Sequence, residues 1–384
     1  MAAEAATDAL RASSAKVATA ARDRRVDALK GFAIVCVVFY HAAGEYFTYS
    51  PATGVVYLPW ALYLRAFLFS YMLPLFAFLS GYVMGRPGGF RPRQYFWKRT
   101  LGLLVPYLAW ESVYGPGKDK HPEMLGSVAA FFGYYAHLLA DPHYEGRMWY
   151  LYVLWLALMF LGVARLGGDR TWALVVSVPV VFLIGSFGQF NWLRWVYVFV
   201  ALGVLWRRYE DRLLPRLAML GAVGAVAFIP LWWLCEPEQI AYGRLAGWVG
   251  GGVAATLLPL AFPFLSMLTG LAATAAIIAA SYHLGSRLEA GLAYLGVLSL
   301  GIYVTHFYFV EMWRVRFAEI RALIPGLWRP MPGWFLPINV AIATTIAVGL
   351  TLLLGKWRPT ATLFLGESWV AKPRHVGDVQ TETL

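Results

Sequence analysis

The chain has 384 residues, of which 60% are hydrophobic and only 14% charged, with a formal net charge of +11. A soluble fold keeps much of its surface wet and cannot hide that much apolar area, so an ordinary globular domain is excluded. The basic residues cluster between apolar runs instead of lining one face, which argues against nucleic acid and for the Lys/Arg-rich loops that orient membrane helices.

Residues 1–24 are Ala-rich and mixed in charge, without the apolar stretch of a signal peptide, and are expected to form a disordered cytoplasmic extension. A transmembrane domain is expected over 25–365, followed by a cytoplasmic tail over 366–384. A spanning helix needs roughly 20 apolar residues. Runs of that kind lie near 31–48, 60–84, 95–113, 148–165, 171–187, 192–206, 213–234, 245–263, 265–283, 293–313 and 334–354. They predict an all-α polytopic transmembrane bundle of ten or eleven helices.

Arg22, Arg24 and Arg25 precede the first run, Arg86, Arg91, Arg93, Lys98 and Arg99 follow the second, and Arg207, Arg208, Arg212 and Arg216 follow the sixth. All three clusters put the N-terminus in the cytoplasm, and the mixed-charge 114–147 loop reads as external. Lys356, Arg358, Lys372 and Arg374 after the last run also call for the cytoplasm, which demands an even number of crossings. The stretch 245–283 is the place for the false crossing, because Ala261-Phe262-Pro263-Phe264 joins its two runs without a charge. One of the two is expected to dip in without spanning. Trp60, Trp97, Trp110, Trp149 and Trp206 lie near run ends, where interfacial anchors belong.

Ionisable side chains at membrane depth are costly and are functional candidates by default. The first expected helix carries Lys30, His41 and Glu45. Lys30 and His41 are eleven residues apart. On a helix that is three turns plus roughly 20°, with roughly 16 Å of rise, so both share a face. Glu45 follows His41 by four residues and is expected to reach its ring. The plainer reading has His41 as an interhelical hydrogen-bonder and Lys30 snorkelling to the interface. A cation, a histidine and a carboxylate on one stripe favour anion binding at the surface with proton transfer deeper in.

Further motifs follow in order: Leu29-Lys30-Gly31 with Tyr40-His41, Met72-Leu73-Pro74 with Ser80-Gly81-Tyr82, Tyr95 through Lys98-Arg99 to Pro106-Tyr107, Met148-Trp149-Tyr150, and Ser299 through Ile302-Tyr303 to His306. Together these resemble the acyltransferase-3 family of membrane acyltransferases over roughly residues 25–365. The family usually has Arg where Lys30 stands, and Lys loses the bidentate fork. Its third helix commonly opens Arg-x-x-Arg, of which Arg99 fills the first place while Gly102 stands in the second.

The resemblance implies transfer of an acyl group from cytoplasmic acyl-CoA, with acetyl-CoA the expected donor, to a hydroxyl of a glycan, lipid-linked sugar or secondary metabolite. No bound cofactor and no metal are expected, and the setting is the inner membrane of a bacterium. His41 and Glu45 are the catalytic candidates, since a hydroxyl needs a general base near neutral pH. Lys30, Lys98 and Arg99 are the candidates for holding the phosphates of CoA. Glu111, Trp149, Tyr303 and His306 are acceptor-side candidates, although a solvated Glu111 and a packed His306 read about as well. A rival class is a proton-coupled transporter with His41 and Glu45 as a relay.

Other signals carry less. Leu79-Ser80-Gly81-Tyr82 lacks the strand-to-helix elbow of a serine hydrolase and fits helix packing. Gly250-Gly251-Gly252 has no following Lys-Ser/Thr and is no phosphate loop. His137, Asp141 and His143 form only a weak metal-like grouping, and Cys36 and Cys235 read as buried thiols.

Overall fold

The computed structural model describes residues 23–50, 54–85, 90–114, 126–140, 148–168, 170–184, 191–236, 247, 251–310 and 333–366. Nearly all of the expected N-terminal extension and of the tail lies outside these residues, as do Asp141, His143 and Gly250.

Helix α1 (Arg24–Ala43) is capped by Asp23, whose carboxylate accepts the backbone N–H groups of Arg25 and Val26 at 3.1 and 3.3 Å. A small antiparallel hairpin follows, β1 (Phe47–Ser50) against β2 (Gly54–Tyr57), with Phe47 opposite Tyr57. Its aromatic and β-branched residues suit an extended ribbon, and it is the exception to the all-helical expectation among the described residues. Helix α2 (Pro59–Met84) opens on proline, whose fixed φ and missing N–H suit that position.

The expected third helix is broken into α3 (Pro92–Arg99), a π-helical turn (Thr100–Leu104) and α4 (Val105–Tyr114). Pro106 has no N–H to give the carbonyl of Gly102, and a π turn in the preceding residues is one way a helix absorbs that loss. The 114–147 segment, expected as a loop, contains α5 (Val128–Ala140). Its 13 residues are apolar but too short to span, so a threshold of about 20 passes over them. Then come α6 (Trp149–Leu166), α7 (Thr171–Ile184), α8 (Asn191–Arg208) and α9 (Leu217–Cys235). The chain continues in α10 (Gly251–Ser281), α11 (Ser286–Val297), α12 (Ser299–Val310) and α13 (Phe335–Leu354).

Among the described residues, six helical stretches are long and apolar enough to cross a membrane, those of α1, α2, α6, α9, α10 and α13. The bent pair α11–α12 makes a seventh if it is one span. The expected count of about ten is not reached by that measure. Helix α7 has 14 residues, α8 carries Arg194, Arg207 and Arg208, and the third run is interrupted. The segment 245–283 also corrects the expectation. Its two runs form one continuous helix of 31 residues, and Pro263 lies within it without making a turn. Membrane helices tolerate such prolines, so an apolar break in the pattern is no sign of a loop. The sharp bend falls elsewhere, 79° between α11 and α12.

Helix α1 is central, packed against α2, α11 and α13. Its contact with α11 is backbone to backbone: a Cβ on Gly31 would collide with the Leu292 carbonyl, and one on Gly296 with the Asp27 carbonyl. Helices α2 and α8 meet the same way, through Gly81 at Val200 and Gly203 at Phe78. Small residues that let helices approach closely replace the hydrophobic drive that lipid cannot supply. Ser80 belongs to this packing, its hydroxyl donating to the Phe76 carbonyl of its own helix at 2.8 Å.

Basic side chains gather at one end of the bundle. There Arg24 donates to the Ser286 carbonyl, Arg165 to that of Met84 and Arg207 to the Tyr82 hydroxyl. At the far end Tyr46 meets Trp60 edge-on at 4.8 Å, and Tyr63 meets Trp232 at 6.3 Å. Trp60 and Trp97 are exposed, as anchors should be, whereas Trp110 is buried and donates to the Phe364 carbonyl at 3.0 Å.

Candidate active site

Helix α1 stops at Ala43, five residues before its apolar run ends, so His41 falls in the last turn, near the far end. Glu45 lies beyond the helix, its N–H donating to the Ala42 carbonyl at 3.2 Å. The expected helical stripe through His41 and Glu45 is therefore interrupted at Gly44, which caps the helix. Tyr46, next along, is buried, and burial pushes its phenol up to about 12. Lys30 remains on the helix, half-buried and beside the Gly31 contact, roughly 16 Å back along the axis.

The partner of His41 comes from α12. The bend after α11 turns α12 so that the His306 ring centroid lies 5.1 Å from that of His41, and Phe307 lies 5.0 Å from it on another side. His306 is 1% exposed. Its Nδ1 sits 2.9 Å from the Ile302 carbonyl, and a carbonyl can only accept. Nδ1 therefore carries the proton and Nε2 the lone pair. That Nε2 is buried and has no hydrogen-bond partner among the described residues.

Aromatic rings extend the site. Tyr303, one turn before His306, lies 6.2 Å from its ring and 6.2 Å from Tyr150. Trp149 adjoins Tyr150 at 5.9 Å and Trp192 at 5.1 Å. Glu111 is buried, its carboxylate accepting the Met148 N–H at 2.7 Å, and it lies within electrostatic reach of Tyr107 and Tyr303. The acceptor-side candidates Glu111, Trp149, Tyr303 and His306 thus form one chain of contacts ending on His41, and Glu111 is no solvated loop residue.

The cations stand apart from it. Lys98 and Arg99 close α3 at the basic end, and Arg99 immediately precedes the π turn. Nothing lies within 4 Å of a Cβ placed on Gly102, so the space for a longer side chain there is open. Arg91, Arg93, Trp97 and Thr100 line an adjoining hollow of about 1100 Å³.

One residue escaped the sequence reading. Arg65 on α2 donates to the Tyr40 hydroxyl at 3.0 Å, and its guanidinium lies 4.3 Å from the centre of the Tyr40 ring. Tyr40 in turn packs edge-on against His41 at 5.1 Å. A single Arg inside the 60–84 run was the available signal, since a buried-depth cation needs a reason. Among the described residues no three His, Cys, Asp or Glu gather as metal ligands would, and His137 lies on α5.

The acyltransferase domain family of the acyltransferase-3 type matches residues 23–356, nearly the whole of the described bundle and every candidate residue above. No curated protein and no solved structure matches the chain. The chain belongs to the acyltransferase-3 family, and it is a membrane protein that acts as an acyltransferase.

Proposed function

We propose that the protein is an O-acyltransferase of the bacterial inner membrane that takes an acyl group, expected to be acetyl, from cytoplasmic acyl-CoA and places it on a hydroxyl. The His41–His306 pair carries this reading, because it sets the two imidazole rings 5.1 Å apart with the buried Nε2 of His306 among them. The acceptor hydroxyl gives its proton to His41 as its oxygen attacks the thioester carbon. Collapse of the tetrahedral intermediate breaks the C–S bond, and the departing CoA thiolate takes the proton back from His41. His306 accepts through Nε2 a hydrogen bond from a second hydroxyl of the acceptor and so orients the reacting one.

On the donor side, the basic end supplies what CoA phosphates need, and Lys30, Lys98 and Arg99 are the groups assigned to hold them. The hollow beside Arg91, Arg93 and Trp97 offers cations and an aromatic face for the nucleotide. Glu45 lies in the turn after α1 and contributes to the electrostatics near His41 rather than to a helical relay. The membership in an acyltransferase family disfavours the transporter reading.

The test is to incubate the purified protein in nanodiscs with [14C]acetyl-CoA and a panel of hydroxylated acceptors. Label transferred to an acceptor by wild type and lost in His41→Ala supports the assignment; equal transfer by a correctly inserted His41→Ala protein removes it.

A further inference from the structure

Tyr40, the residue before His41, brings a hydrogen-bond donor to the base that the mechanism has not used. Its hydroxyl accepts from Arg65 at 3.0 Å, and among the described residues no acceptor takes its own proton. The other groups nearby are differently placed. His306 presents a lone pair, Phe307 has no polar atom, and the Tyr150 hydroxyl already donates to the Leu73 carbonyl at 3.2 Å. The Tyr40 ring is held on three sides. The Arg65 guanidinium lies 4.3 Å from its centre, Phe69 lies 5.5 Å away, and His41 meets it edge-on at 5.1 Å. Arg65 and Phe69 are four residues apart on α2, so both face α1 together. Arg65 is itself lodged where α1 ends: a Cβ on Gly44 would collide with the guanidinium, and glycine there leaves it room.

We propose that Tyr40 is a further catalytic residue, whose hydroxyl donates to the oxyanion formed at the thioester carbonyl, and that Arg65 is its positioning residue. The inference rests on the acyl-transfer reading for the reaction it serves. As the acceptor oxygen bonds to the carbonyl carbon, its proton passes to His41 and the C=O π pair moves onto the carbonyl oxygen. Tyr40 keeps its proton and shares it with that oxygen in a hydrogen bond, which strengthens as the negative charge develops. When the C–S bond breaks, its pair leaves on sulfur, C=O re-forms, and the thiolate takes the proton from His41. Tyr40 and Arg65 end the cycle as they began it.

The surroundings suit the hydroxyl to this task. A phenol that accepts from a guanidinium has its O–H polarised and donates more strongly, because successive hydrogen bonds reinforce one another at low dielectric. Packing on three sides fixes the ring before substrate arrives, so nothing need reorganise as charge appears. Ring centres 5.1 Å apart put the Tyr40 hydroxyl within about 8 Å of the imidazole, roughly the span of a base, a tetrahedral carbon and an oxyanion donor in a row. Arg65 is also a cation about two turns into a membrane helix, a costly place for a charge with no role.

A double-mutant cycle in nanodiscs tests the assignment, with [14C]acetyl-CoA and the acceptor of the panel that wild type labels most. Tyr40→Phe keeps the ring and loses the hydroxyl. Its kcat should fall about 10²–10³-fold, as for loss of one oxyanion donor, with the KM for acetyl-CoA within about twofold of wild type. Arg65→Gln should lower kcat by about tenfold or more, and Arg65→Lys should recover part of that loss. Added to Tyr40→Phe, Arg65→Gln should cost less than about twofold further, because it acts through the hydroxyl. Tyr40→3-fluorotyrosine, which keeps the hydroxyl as a stronger donor, should transfer at the wild-type rate or faster, and it carries the test if Tyr40→Phe fails to fold. Near-wild-type kcat in Tyr40→Phe, additive losses in the double variant, or a rise in KM alone overturns the proposal. So does a fluorotyrosine variant that folds as wild type but is as slow as Tyr40→Phe or Arg65→Gln. In each of these cases transfer by wild type leaves the acyl-transfer reading standing. Wild-type protein that labels no acceptor overturns that reading, and this role with it.

Discussion

At the scale of single residues, each candidate side chain has a distinct expected phenotype. His41→Ala should lower transfer by about 10²–10⁴-fold, the usual contribution of a general base, while the protein still inserts and folds. His306→Ala should lower kcat by a smaller factor, roughly tenfold or more, because it removes an orienting hydrogen bond and not the base itself. Lys30→Ala and Arg99→Ala should each raise the KM for acetyl-CoA by about tenfold or more, as expected for losing a charge-assisted contact worth roughly 1.5–3 kcal/mol, and Lys30→Arg should be tolerated. Steady-state kinetics with acetyl-CoA varied would check this; a change confined to the acceptor KM would reverse the assigned polarity. The sequence made His41 and Lys30 legible because a lone ionisable residue stands out in an apolar run. It hid the pairing with His306, since the two lie on helices far apart in the chain and only the bend after α11 joins them. Arg65 carried a signal as the single Arg of its run, but its partner Tyr40 lies on another helix and only the fold brings them together.

Among the helices, the contact of α1 with α11 is the most exacting. Gly31 and Gly296 face carbonyl groups at distances no Cβ can share, so Gly31→Leu or Gly296→Leu must drive the helices apart. The cost should be about 1–3 kcal/mol or more, as for other overpacked sites. A lower unfolding temperature in nanodiscs, with activity falling in parallel, is the expected result; wild-type melting of either variant would mean that the contact contributes nothing. Element boundaries were the less legible part of the sequence. Hydropathy counts apolar residues and is blind to where backbone hydrogen bonds continue, so it split α10 at Pro263 and fused α3 with α4 across the π turn. It also extended α1 past Gly44, which misplaced Glu45 by an entire element.

For the molecule as a whole, the merging of two runs into α10 bears on topology. A single helix can supply at most one of the two crossings that its runs offered, while basic residues at both ends of the chain still call for an even number. Ser286 touches Arg24, so both belong on one side of the membrane. In a background with Cys36 and Cys235 replaced by alanine, Ser286→Cys and Lys356→Cys should be shielded from an impermeant thiol reagent applied outside intact cells. Both should label after permeabilisation. Labelling of either from outside would mean an odd count and would invert the assigned orientation at that point.

The Gly31–Gly296 contact has a consequence for how the enzyme meets its lipid. Most polytopic proteins accommodate a thicker or thinner bilayer by tilting their helices against one another, at a modest cost per ångström of mismatch. Here the helix bearing His41 is joined, backbone on backbone, to the arm that leads through a single bend to His306. Tilting carries both imidazoles together, so their spacing is fixed by protein contacts and not by membrane thickness. Acetyl transfer should therefore vary by less than about twofold between nanodiscs of short- and long-chain phosphatidylcholine, and should become thickness-sensitive in Gly296→Leu.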